Sequence, residues 1–244
     1  MKTMIGVMGS VAGYAIQASD LAYLLGQAIA ENDCIVVTGA CPGLPYDAVR
    51  GAKEAGGMTV GISPGHNFAE HTIKYASPSE GFDVLIYTGS GLMGREITGV
   101  RSCDIVVLAG GRSGTLGEFA IAYDEGKLIG VLLGTGGIAE HIDKLVKIIN
   151  KDTGAQVVYD TNPRHLITTL FELDQARRDA MRAQSAPTMI SSCSPDTCLS
   201  VESLEQAIAA MEQEIRLVQA NIAEQRRRLE AYRDVAVLGP SERG

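Results

Sequence analysis

The stretch AGGRSGTLGEF at residues 109–119 decides the reading of this chain. It follows DIVVL at 104–108, an apolar, β-branched run, and leads into an apolar segment that carries one acid, Glu118. Two glycines, an arginine, a serine, a third glycine and a threonine lie between. The order is strand, permissive turn, helix. Glycine lacks the Cβ that bars unusual backbone angles and close approach. Such a segment makes either a tight turn or a loop whose N–H groups hold a phosphate at a helix N-terminus.

The same pattern repeats outward along the chain. Seven short apolar runs read as strands, at 4–9, 34–39, 58–63, 83–88, 104–109, 128–133 and 156–159. They are mostly apolar on both faces, as expected of parallel strands covered on both sides. Helical spacing lies between them, near 15–30, 44–56, 91–102, 115–126 and 138–149, and again near 163–181. Alternation of this kind implies an α/β fold, a doubly wound, Rossmann-like parallel sheet with right-handed crossovers. Most strands run into glycine: GSVAG at 9–13, GACPG at 39–43, GSG at 89–91 and GGRSG at 110–114. Open α/β sheets bind ligands at this edge, where strand order reverses, so the glycine loops are expected to share one site.

Composition excludes several classes. The formal charge of −8 and pI of about 5.0 oppose a non-specific nucleic-acid binder, which needs clustered Lys and Arg. No run approaches the roughly 20 apolar residues of a membrane helix. The opening MKTMIGVMGSVAG reads as a first strand and not as a signal peptide. The five cysteines are odd in number, and Cys34, Cys41 and Cys103 lie in or beside core-type segments, which fits free thiols in a reducing cytoplasm. His66 and His71 bracket a loop, PGHNFAEH, that lacks further metal ligands and reads as solvated, so no metal site is expected.

Residues 1–181 form the expected α/β domain. A Ser-, Pro- and Thr-rich linker follows at 182–200, with Cys193 and Cys198 close in sequence and no second pair to complete a zinc site. From 201 to 235 a helix is expected. Leu204, Ile208, Met211, Ile215, Val218, Ile222, Leu229 and Tyr232 keep heptad spacing, broken at Gln225, over about four heptads. That seam suits a coiled coil between chains, and a single helix folded back on its own domain is the alternative. The run Arg226-Arg227-Arg228 reads as a solvated face.

The dinucleotide fingerprint GxGxxG is absent after the first strand, and no glycine turn ends in Gly-Lys-Ser/Thr. The chain instead resembles the LOG-type, "lysine decarboxylase-like" branch of the SLOG superfamily. Met93-Gly94-Arg95 stands at that family's helical Met-x-x-Arg, one residue shorter. Gly110 to Glu118 stands at its Pro-Gly-Gly-x-Gly-Thr-x-x-Glu, with the Arg95-to-Glu118 interval preserved and Asp104 in place between them. Gly9-Ser10 matches the family's Gly-Ser, and Gly51 to Gly57 followed by Val60-Gly61-Ile62 matches the link into the third strand. The resemblance covers about 1–170. Three positions depart: Gly110 replaces proline, Arg112 replaces glycine, and Gly39-Ala40-Cys41-Pro42-Gly43 replaces a Gly-Gly-Gly turn. Molybdenum cofactor carrier proteins are similar to this branch as well.

The resemblance implies a nucleotide site. Gly9, Ser10, Gly39, Gly43, Met93, Gly111, Arg112, Ser113, Gly114 and Thr115 are its binding positions, with exposed N–H groups from Gly111 to Thr115. Arg95 and Glu118 are the catalytic pair, with Arg95 pairing Glu118 or holding phosphate. The implied reaction cleaves the N-glycosidic bond of a nucleoside 5′-monophosphate to free base and ribose 5-phosphate, with no cofactor required. A carrier or sensor of a phosphorylated ligand, with molybdenum cofactor as cargo, is the alternative, and a scaffold acting through its coiled coil is a third. The expected partners are a small nucleotide and other copies of the chain, through the α/β domain and the coiled coil. Thr115-Leu116-Gly117-Glu118 also has the form of a capping box, in which Thr115 is the N-cap and Glu118 bonds its backbone N–H. No lysine marks a pyridoxal phosphate site.

Overall fold

The structure is a computed structural model that describes residues 2–185 and, beyond them, Arg216. Residues 182–185, expected to open the linker, are helical; apart from them and Arg216, the expected linker and coiled coil, with Cys193, Cys198 and Arg226-Arg227-Arg228, lie outside these residues. Each apolar run becomes a strand: β1 (Met4–Gly9), β2 (Ile35–Thr38), β3 (Met58–Ser63), β4 (Val84–Tyr87), β5 (Ile105–Ala109), β6 (Leu128–Leu132) and β7 (Gln156–Asp160). They form one parallel sheet in the order β4-β3-β2-β1-β5-β6-β7. The helices are α1 (Ile16–Glu31), α2 (Leu44–Glu54), α3 (Gly91–Arg101), α4 (Ser113–Asp124), α5 (Ile142–Ile149) and α6 (Pro163–Ser185). This is the doubly wound, Rossmann-like α/β fold that the alternation implied. Among the described residues no helix is long and apolar enough to cross a membrane.

Two apolar layers follow from the two-residue period of a strand. In β5, Ile105, Val107 and Ala109 point into a core shared with α1, α2 and α6. Val106 and Leu108 point the other way, toward Val100 of α3, Phe119 of α4 and Ile142 of α5. Central strands are thus apolar throughout. Edge strand β4 departs from the expectation of two covered faces, because Val84 and Ile86 stay exposed. An apolar run gives the type of element without telling centre from edge.

The segment read as a solvated loop differs more. Glu70–Lys74 is a π-helical turn, and His71 within it has 0% exposure. Its Nδ1 lies 2.9 Å from Ser63 Oγ and its Nε2 2.9 Å from the Pro78 carbonyl oxygen. Both ring nitrogens are satisfied, so His71 ties this turn to the end of β3. Only His66 of the pair stays on the surface, where Glu70 is its partner.

α1 and α2 cross on reciprocal glycines. A Cβ at Gly26 would lie 1.8 Å from the Ala48 carbonyl oxygen, and one at Gly51 would lie 1.9 Å from that of Tyr23. Neither helix can accept a methyl there without separating. Gly26→Ala and Gly51→Ala should each destabilise the fold by about 1–3 kcal/mol, the overpacking range, despite alanine's better helix propensity. Urea denaturation measures this, and unchanged midpoints would show that the helices move apart freely.

Candidate functional site

Strand order reverses between β1 and β5, and the site lies at their carboxyl ends. The Ser10 N–H donates to the Ala109 carbonyl at 3.1 Å, extending the pairing past β1. Gly110 and Gly111 then turn the chain at φ of 64° and 97°. Their N–H groups are already engaged. Gly110 donates to Thr135 Oγ1 at 2.8 Å and Gly111 to Ser10 Oγ at 2.6 Å. Their carbonyls accept from Ala139 and Ile138. The turn is fixed by the protein itself, and Gly111 offers no free N–H to a ligand.

Helix α4 begins at Ser113, not Thr115, with Arg112 as N-cap and no side-chain capping bond. The first helical bond runs from Leu116 N–H to the Arg112 carbonyl. The expected capping box is therefore absent. The locked glycine turn sets the helix two residues early, which moves Glu118 past the N3 position that a box requires. Thr115 packs against Gly111, where a Cβ would lie 2.3 Å from its Oγ1. Among the described residues, the N–H groups of Ser113, Gly114 and Thr115 have no partner, as at an uncapped helix N-terminus.

Those residues line a cavity of about 360 Å³ with Gly9, Ser10, Gly39, Arg95, Arg112 and Glu118. Nine of the twelve positions proposed from sequence therefore meet in one place. Gly43 shapes the neighbouring turn at φ 91°, with its Cβ position 2.3 Å from the Ser10 carbonyl oxygen. Met93 is 69% exposed on α3 and does not line the cavity. Asp104 sits at the other end of β5, accepting from the Met4 N–H and pairing with Arg178.

Arg95 is 8% exposed. A Cβ at Gly39 would stand 1.2 Å from its Nη1, so the guanidinium occupies the space of the missing side chain. Its buried Nε has no hydrogen-bond partner. Arg95 forms no ion pair with Glu118 among the described residues, and the expected pairing is replaced by two separate groups facing one cavity. Glu118 is 6% exposed and accepts no hydrogen bond from the described residues. Burial pushes its carboxyl up to about 7, the Arg95 charge opposes the shift and Glu96 adds to it.

Two wall residues carry no clear sequence signal. Cys41 is a free thiol whose pKa burial raises. Glu96, on α3 beside Arg95, is 7% exposed and also raised by burial. Its carboxylate oxygens lie 3.1 and 3.3 Å from the Cβ positions of Gly114 and Gly117. The only sequence trace of this contact is the three-residue spacing of those glycines, which bares one face of α4.

The fold and site together define a doubly wound α/β protein with an uncapped helix N-terminus at the switch point. The SLOG cluster4 family matches residues 2–167, and the chain belongs to that family. An uncharacterized protein of Archaeoglobus fulgidus is 34% identical over 134 residues, 54% of this chain and 82% of that one. A molybdenum cofactor binding protein from the phototrophic bacterium Rippkaea orientalis is 29% identical, with a TM-score of 0.59 over 71% of this chain and 98% of the other. A Moco carrier protein from Chlamydomonas reinhardtii is 31% identical, with a TM-score of 0.59 over 72% and 99%.

Glu118 also makes stability depend on pH. Its folded pKa of about 7 exceeds the unfolded 4.5, so the native state holds the extra proton between those values. The protonated carboxyl's contribution is complete below pH 4.5 and is lost as pH rises through about 7. Glutamine has no proton to lose. Glu118→Gln should therefore gain about 3 kcal/mol on wild type between pH 4 and pH 8, the free-energy equivalent of that displacement. Calorimetric melting across pH tests this, and a stability difference that is the same at both ends would contradict the assignment.

Proposed function

We propose that the chain binds a nucleoside 5′-monophosphate and hydrolyses its N-glycosidic bond. The observation that carries this reading is Glu118, a buried carboxylate free of any capping or ion-pair role, in the same cavity as an uncapped helix N-terminus. The N–H groups of Ser113 to Thr115 suit a phosphate, with Arg112 and Arg95 as cationic groups lining the same cavity. Departure of the base leaves positive charge on the ribose, and a carboxylate held out of water stabilises such charge strongly. A pKa near 7 also suits a general base that takes a proton from the attacking water. Water supplies the new bond to the anomeric carbon, the C–N bond breaks and the base leaves with a proton. No cofactor enters this scheme.

A second reading has its own support. The solved relatives described above are named for binding or carrying molybdenum cofactor, at 29% and 31% identity and almost their full length. Under that reading the same helix N-terminus holds the phosphate of a larger cargo, and Arg112 supplies an added contact. Both readings place the protein in the cytoplasm. Both include self-association through the α/β domain and the C-terminal heptads. Removing 200–244 should lower the oligomeric mass in sedimentation, and an unchanged mass would remove the heptads from assembly.

Release of free base from AMP, GMP, CMP and UMP, followed by chromatography, decides between the two. Glu118→Gln should bind nucleotide within a few-fold of wild type and lose about a hundredfold or more in turnover. Arg95→Ala should lose both turnover and affinity. A wild-type protein that binds a phosphorylated ligand tightly and releases no base over hours is a carrier.

A further inference from the structure

Glu96 has no role in either reading. It stands against the first turn of α4, with its oxygens 3.1 and 3.3 Å from the Cβ positions of Gly114 and Gly117. It lines the same cavity as the free N–H groups and accepts no hydrogen bond from the described residues. That a ligand belongs there rests on more than the helix terminus. Arg95 and Glu96, each more than nine-tenths buried, both border the same cavity, and neither is in an ion pair among the described residues.

An ionised carboxylate offers only lone pairs, and so does a fully ionised phosphate. Placed side by side at one helix end they repel, unless a proton stands between them. We propose that Glu96 shares one proton with the ligand's phosphate and so selects phosphate groups able to carry a proton against oxyanions that carry none. The proton arrives as P–OH donating to the carboxylate, or rests on Glu96 and is donated to a phosphate oxygen. The total count is the same. Sulfate matches phosphate in shape and charge but brings no proton at neutral pH, and a phosphodiester brings none either. An acceptor fixed beside the anion seat rejects them as an unpaired buried polar group rejects a wrong substrate.

Four groups face Glu96 across the cavity. Arg95 comes from its own helix, Glu118 from α4, Arg112 from the turn before α4 and the Cys41 thiol from the turn after β2. Two cations set against two carboxylates, Glu96 included, leave no surplus positive charge to neutralise a dianion. The proposal rests on the anion seat proposed above, but not on hydrolysis.

Inorganic phosphate and sulfate are the probes, because hydrogen phosphate keeps one P–OH at pH 8 and sulfate of the same charge and shape has none. At pH 8 the wild type should bind phosphate about 10- to 100-fold more tightly than sulfate, the scale of one hydrogen bond to a charged group. Glu96→Gln can donate an amide N–H to either anion, so its two affinities should fall within about threefold of each other. Glu96→Ala, which removes the acceptor outright, should also lose the preference. Melting curves confirm that each variant is folded. Equal wild-type affinities, no phosphate binding at all, or a preference that survives both substitutions would overturn the proposal. Absence of base release from nucleotides leaves it standing and removes only the hydrolase reading.

Discussion

At their carboxyl ends β1 and β5 come so close that a Cβ at Gly9 would lie 2.2 Å from the Ala109 carbonyl oxygen. Only glycine lets the strands stay paired to that point. The consequences spread from there. Pairing continues one residue further, through the Ser10 N–H, and that sets Ser10 Oγ where it accepts from Gly111. With Gly110 and Gly111 held by side chains and by the 138–139 backbone, α4 is forced to start at Ser113. Its first N–H groups are left open, and Glu118 faces the cavity without a capping partner. The shape of the site is thus a packing outcome of two strands and does not require a ligand to form.

The alternation of apolar runs and helical spacing is enough to reveal the seven strands and six helices described between residues 2 and 185, because parallel strands covered on both faces are apolar in every position. It is also enough to place the site at the glycine-rich edge. Three things escape it. The exposed face of β4 depends on where a strand falls in the sheet, which no local pattern records. The early start of α4 depends on hydrogen bonds that Gly110 and Gly111 donate to Thr135 and Ser10, distant in sequence. The burial of His71 depends on Ser63 and Pro78 meeting it across a turn. Glu96 is hidden for a related reason. Beside Arg95 it reads as half of a solvated charge pair, and only the bare face of α4 draws it inside.

The cavity concentrates polar groups at a cost in stability. Arg95, Glu96 and Glu118 are all more than nine-tenths buried, yet no ion pair joins them among the described residues. Buried charge without a partner is unfavourable, and the raised carboxyl pKa values show how the protein reduces it. Gly39 makes room for the guanidinium and Gly114 and Gly117 for the Glu96 carboxylate, so backbone has been cleared for these side chains at three separate points. A fold that needed only a filled core would place apolar side chains there.

The crossing of α1 and α2 has a bearing on how the cavity accommodates what it holds. Each helix lays a glycine on a carbonyl of the other; the loop before α1 supplies Ser10 and Val11, the loop before α2 supplies Cys41, and α2 itself supplies Pro45. Those four residues are therefore fastened to a single slab whose halves cannot slide. The opposite wall is built otherwise. There α3 enters through Gly89-Ser90-Gly91, with both glycines at positive φ, and carries Arg95 and Glu96. The four charged side chains of the cavity come from this wall and from α4 with its preceding turn, Arg95 and Glu96 from the first and Arg112 and Glu118 from the second, and none comes from the locked pair of helices.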